Sequence, residues 1–277
     1  MASQSPATAQ ADTASPLPIF YRDPVPLSST AHATWCLADG DASFAAEAPF
    51  VPIVVGELAA SARSYPIVFA AGDAQPVAVL GLERANLFVT DGQWAEDAYL
   101  PAYVRRYPFG FIATTNPDGF ALAIDAGSDR VAQSGDDGAA LFEDGKPSAL
   151  TRQALAFCDA FQSEAAATRA FAEALKAQDL LIDRRADATL PDGRKLGLDG
   201  FQIVDAEKFG ALADDVVLDW HSRGWLALVH FHLASLERFS SLLARQSKRP
   251  PIAAASHQNG SEAESAAPAK PAKSKKA

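Results

Sequence analysis

Tyr99, Tyr103 and Tyr107 recur at every fourth residue, with Arg105 and Arg106 beside them. A helix over 98–107 would bring the three phenols onto one face, because residues four apart are neighbours on a helix. Glu96 and Asp97 would then stand at its positive end, Pro101 in its first turn, and Pro108 would end it. Arg105 and Arg106 would point to adjacent sectors, so at most one would lie beside the tyrosines. Phenol hydroxyls with a guanidinium make a platform that can hold a carboxylate or a sugar. The plainer reading is that the tyrosines pack on a sheet and the arginines pair with acidic residues elsewhere.

His230 and His232 form the second constellation, with Asp219 and His221 upstream. On a strand the two imidazoles would project from one face and could share Zn²⁺ or Fe²⁺. On a helix they would point about 200° apart and could not. The alternative is a hydrogen-bonded core histidine, and His232 also stands among the ligand-binding candidates with Tyr99, Tyr103, Arg105 and Arg106. No spaced third ligand completes a metal site, so the expectation is no metal and no cofactor. Catalytic residues are not identifiable: there is no Gly-x-Ser-x-Gly, no Walker or Gly-x-Gly-x-x-Gly loop, and neither cysteine has a histidine near it in sequence. Asp125, Asp129, Asp136, Asp137, Asp214 and Asp215 sit mostly in turn-rich stretches, where carboxylates are usually just solvated.

The elements that must position these residues change character along the chain. Thr30–Leu37, Pro66–Ala71, Val77–Leu82, Asn86–Val89, Phe109–Thr115 and Phe120–Asp125 read as strands. Gly72-Asp73, Asp91-Gly92 and Asn116-Pro-Asp-Gly119 read as the turns between them. A short helix falls between Ile53 and Arg63. After the turn-rich residues 127–148, two helices are expected at Leu150–Phe161 and Ser163–Ala177 from apolar residues at helical spacing. Asp179–Thr189 and Arg194–Val204 form a hairpin through Pro191-Asp-Gly193, and Asp205 caps a helix running to Leu212. Trp225–Arg245 reads as a short strand, Leu226–Phe231, followed by a helix from about Ala234. Strands followed by helices, without regular alternation, make the fold class α+β with a mostly antiparallel sheet.

Composition sets outer bounds. A chain of 277 residues at 48% hydrophobic can bury a large core. Residues 1–16 and 247–277 read as disordered tails flanking one domain over 17–246, with a β-rich half at 17–126 and a helix-rich half at 149–246. The net charge is −10, and six Lys/Arg against two acids from Ser247 onward leave −14 on the rest. An acidic body repels phosphate backbones, which argues against nucleic acid as its partner. Two cysteines, Cys36 and Cys158, make no framework and fit a reducing compartment. The first 18 residues lack the basic start and apolar middle of a secretory leader, and no apolar run approaches the roughly 20 residues of a membrane span. The expectation is therefore a soluble, cytoplasmic chain unless another export route serves it.

One ordered set of motifs resembles the SapC family of bacterial proteins. It runs through Tyr65-Pro-Ile-Val-Phe69, Leu80-Gly-Leu82, Asn86-Leu-Phe-Val89, Gly92-Gln-Trp94 and Tyr99-Leu-Pro-Ala-Tyr-Val-Arg-Arg-Tyr-Pro-Phe109. Leu141-Phe142 with Gly145, Thr168-x-x-Phe171, Leu198-x-Gly-Phe201 with Val204-Asp205, and Gly224-Trp-Leu226 through His232-Leu-x-Ser-Leu236 extend it over about residues 20–245. The resemblance implies a link to bacterial surface-layer or envelope biology, with no enzyme activity or cofactor attached. The reading is an accessory or binding protein whose partners are envelope proteins or a small polar ligand. The alternative is an enzyme or small-molecule binder acting on a small polar or anionic substrate at Tyr103, Arg105 and Arg106.

Overall fold

The computed structural model describes residues 17–113, 119–134 and 138–249. Its first half is made of short elements: strands β1 (Pro24–Pro26), β2 (Cys36–Leu37) and β3 (Phe50–Pro52), and then helix α1 (Leu58–Ser61). Strands β4 (Ile67–Ala70), β5 (Pro76–Val79), β6 (Val89–Thr90) and β7 (Gln93–Trp94) precede the single turn of helix α2 (Ala102–Arg105). After β8 (Phe109–Ala113) and β9 (Phe120–Asp125) come four two-residue strands: β10 (Val131–Ala132), β11 (Ala139–Ala140), β12 (Phe142–Glu143) and β13 (Lys146–Pro147). The second half holds α3 (Ala149–Ala177), the long hairpin β14 (Leu181–Thr189) and β15 (Lys195–Val204), and four helices. These are α4 (Ala206–Gly210), α5 (Asp214–Ser222), α6 (Trp225–Ser235) and α7 (Arg238–Ser247).

The fold is α+β, and every strand pairing among the described residues is antiparallel. The main sheet has the order β14-β15-β4-β5-β3. Phe201 of β15 pairs with Ala70 of β4, so the late hairpin adds directly to the early strands. A second sheet, β1-β9-β8, stands apart from it. The β6–β7 turn puts Asp91 at φ 49° and Gly92 at φ 76°. Two successive positive φ values match the twist of a two-residue hairpin, which is why Asp-Gly occurs there. β8 and β9 pair as expected, from Phe109↔Ile124 to Ala113↔Phe120, while Asn116–Asp118 lie outside the described residues.

Three apolar clusters hold these layers, and α3 links two of them. Its first half packs Cys158 with Leu37, Phe109, Ile124 and Leu141 against the small sheet. Its second half packs Phe171 and Leu175 with Phe69, Val204, Trp220 and Val229. The third cluster gathers Ile53, Leu58, Tyr65, Ile67, Phe88 and Tyr103. Phe171 is fully buried, and truncating such a side chain typically costs about 3–5 kcal/mol.

Five local expectations are corrected. The predicted pair of helices is one 29-residue helix, because Ser163 bonds back to the Asp159 carbonyl at 3.2 Å instead of capping a new start. Most of Thr30–Leu37 is turn, held by Ser28 and His32 contacts with the local backbone, and only Cys36–Leu37 is strand. Asn86–Val89 is strand only from Val89, because Asn86 accepts from Phe88 N and donates to the Ala45 carbonyl. The helix expected over 98–107 is a single turn, since Pro101 is its N-cap in an extended conformation. Leu226–Phe231 is helical: Gly224 at φ 73° turns the chain directly into α6. Asp205 does cap α4, accepting from the backbone N–H groups of Glu207 and Lys208.

Candidate functional site: an arginine-lined cavity beside the long helix

The single-turn α2 breaks up the tyrosine stripe, and each phenol has its own partner in the protein. Tyr99 donates to Glu57 at 3.1 Å, Tyr103 to the Ile19 carbonyl at 3.1 Å, and Tyr107 to Asp125 at 2.8 Å. Asp125 is fully buried and also accepts from the backbone N–H groups of Arg22 and Asp23, so it ties the start of the described chain to β9. The phenols do not form one hydroxyl platform. Asp97, expected at a helix start, instead meets Arg245 at 2.7 Å.

Both arginines lie beside tyrosines, which corrects the expectation that only one could. Arg105 is exposed, donates to Tyr99 Oη at 3.0 Å, and lies 5.3 Å from the centre of the Phe157 ring on α3. Arg106 is held between two aromatic faces, 4.2 Å from the Tyr103 ring centre and 4.4 Å from that of Phe161. Such stacking uses the faces of a planar guanidinium and leaves its edge for hydrogen bonding. Arg106 Nε is buried with no hydrogen-bond partner.

These two arginines, with Arg130, line a cavity of about 240 Å³. Its other walls are Leu37, Tyr107, Phe109, and Leu150, Gln153, Ala154, Phe157 and Cys158 from α3. Arg130 approaches from the loop before β10, its Nε 3.4 Å from the Ala38 carbonyl. Gly40 makes room for it, because a Cβ at that position would fall 2.5 Å from Arg130 Cδ. Among the described residues no carboxylate lines the cavity. Among the described residues none of the three arginines forms an ion pair, although many other charged side chains do. Three guanidiniums around one cavity, none in direct contact with a described carboxylate, make a local field that favours an anion.

The cavity lacks an activated nucleophile. Burial pushes the Cys158 thiol up to about 11, only partly opposed by Arg106, so the neutral thiol dominates near pH 7. Burial likewise raises the Tyr103 phenol, against the pull of Arg106. Glu57, nearby, is a buried carboxyl raised by burial and opposed by the N–H groups of Ala102 and Val54 and by Tyr99. Neither Arg130 nor Glu57 was singled out from sequence. Arg130 sits in a turn-rich stretch with no local signal. Glu57 did have one, as a lone charge within the apolar run from Val51 to Leu58.

The histidines lie elsewhere. His232 is fully buried under the main sheet and accepts from Val204 N through Nε2 at 3.0 Å. That bond places the proton on Nδ1, which donates to the Ile67 carbonyl at 2.9 Å. His230, two residues away on the same helix, is exposed and packs edge-on against Phe209. The pair therefore cannot share an ion, and His232 has no ring nitrogen left for a ligand. Asp219 meets Arg223 at 2.9 Å. Among the described residues no group of three or more His, Cys, Asp or Glu side chains could hold a metal, and no helix is long and apolar enough to cross a membrane.

No curated protein and no solved structure matches the chain. The model of the SapC family matches residues 27–242, which takes in the main sheet, the arginine cavity and most of the helical half. The chain belongs to the SapC family.

Proposed function

We propose that this SapC-family chain is a non-catalytic binding protein of a bacterium's surface-layer or envelope system, which holds a small anion between Arg105, Arg106 and Arg130. Family membership supports the setting. The observation that carries the ligand is the cavity itself: three arginines and, among the described residues, no lining carboxylate. A non-catalytic role is supported by the chemistry of the lining, where the one thiol is held neutral and the remaining polar side chains are cations, an amide and the Tyr107 phenol, which is bonded to Asp125.

Isothermal titration with phosphate, sulfate and acetate tests the reading. Wild type should bind at least one of them, more weakly as salt is raised. Arg130→Ala should lower that affinity by about tenfold or more, the usual value of a charge-assisted hydrogen bond, with little change in urea midpoint. Absence of heat with all three anions at low salt would overturn it.

A further inference from the structure

A second cavity of about 240 Å³ adjoins the first and shares Arg105 and Phe157 with it. Its character is opposite. Glu57 and Glu164 line it, together with Tyr99, Phe161, Ala102 and Ala160. The Glu57 oxygens already accept from Val54 N, Ala102 N and Tyr99 Oη, so this carboxyl contributes charge and has little acceptor capacity to offer. Glu164 differs. One of its oxygens accepts from Gly56 N at 3.0 Å, and the other has no partner among the described residues. Phe157 and the guanidinium of Arg105 form the divide between the two chambers.

Two adjoining chambers, one cationic and the other with a free carboxylate oxygen, are complementary to a molecule bearing both charges. Resting on the anion-binding reading above, we infer that the ligand is an amphoteric small molecule of the amino-acid type. Its carboxylate lies among Arg105, Arg106 and Arg130, and its ammonium donates to Glu164. The aromatic rings of Phe157 and Phe161 cover the apolar link between the two groups. A purely anionic ligand would leave Glu164 facing a like charge, which selects against it.

Matched pairs differing by one amino group separate the two readings: β-alanine against propionate, γ-aminobutyrate against butyrate, and ε-aminocaproate against hexanoate. Titration calorimetry should show all three carboxylates bound and at least one amino partner bound about tenfold more tightly, the value of one added charge-assisted contact. Glu164→Gln keeps an acceptor for Gly56 N but removes the charge. It should erase that advantage while the plain carboxylates keep their affinity within about twofold. Carboxylates that bind with no gain from the amino group in any pair would overturn the inference and leave the anion site standing. An advantage that survives Glu164→Gln would do the same. If none of the three plain carboxylates binds, the inference falls, and the anion reading is decided separately by the phosphate, sulfate and acetate titrations.

Discussion

Two regions of this molecule bury cationic or titratable side chains and treat them in opposite ways. At the α6–sheet contact, His232 has a protein partner on each ring nitrogen, and Ser235 beside it donates to the His232 carbonyl while accepting from Ile67 N. At the α2–α3 contact, Arg106 is clamped by aromatic faces but keeps an unmet buried donor, and Arg105 and Arg130 line the same cavity with no carboxylate among the described residues there. A buried polar group with every bond satisfied is part of the scaffold. One whose bonds are not satisfied is the exception and needs a reason of its own. The histidines drew attention from sequence as ligands, yet the structure uses His232 as a pin between α6, β4 and β15.

The comparison breaks first at His232. Replacing it with Leu leaves Val204 N–H and the Ile67 carbonyl without partners in the core, so urea denaturation should show a loss of about 4 kcal/mol. Phosphate affinity of the folded fraction should stay at the wild-type value. A joint loss of affinity would show that the two regions are coupled.

Acid should act on the same pin. Burial lowers the His232 pKa from 6.5 to about 4, with the Ile67 carbonyl as a smaller opposing influence. Between those values the unfolded chain binds the proton and the folded chain does not, so stability falls as the pH drops from 6.5 towards 4. The loss should approach roughly 3 kcal/mol at the lower limit. Urea midpoints measured across that range should slope less in His232→Gln than in wild type, and equal slopes would remove this role for the imidazole.

Glu57→Gln sharpens the other side of the comparison. The amide can still accept through one oxygen, but Ala102 N, Val54 N and Tyr99 together need both carboxylate oxygens. A stability loss of about 1–2 kcal/mol is expected by thermal or urea unfolding. Arg105, relieved of the nearby negative charge, should bind phosphate slightly more tightly. Weaker phosphate binding would instead show that Glu57 positions the cavity wall through Tyr99.

Much of the architecture was legible because it depends on neighbours in sequence. The hairpins at Gly72, Asp91-Gly92 and Pro191-Asp-Gly193 could be placed from residues that accept positive φ, and the Asp205 cap from a side chain that reaches only the next turn. The ambiguous segments were those where two periodicities fit. Trp225–Ser235 is apolar almost all round, so alternation and helical spacing both described it, and packing against α5 and the sheet decided the outcome. The tyrosine stripe failed for a related reason. Spacing of four residues predicts a shared face only if the helix is long enough, and α2 is four residues long.

The amino-acid order by itself determined an antiparallel α+β fold, its turns and caps, and an acidic body with a basic C-terminal end, because these follow from local backbone preferences and from composition. Which polar groups would be left with unmet bonds was decided only by the tertiary structure. Arg130 comes from a loop, Arg106 from the residue that ends a single helical turn, and Gln153 and Phe157 from a helix that begins after residue 148. Hydrogen-bond satisfaction and charge balance are properties of atoms a few ångströms apart in space, and no spacing along the chain encodes them.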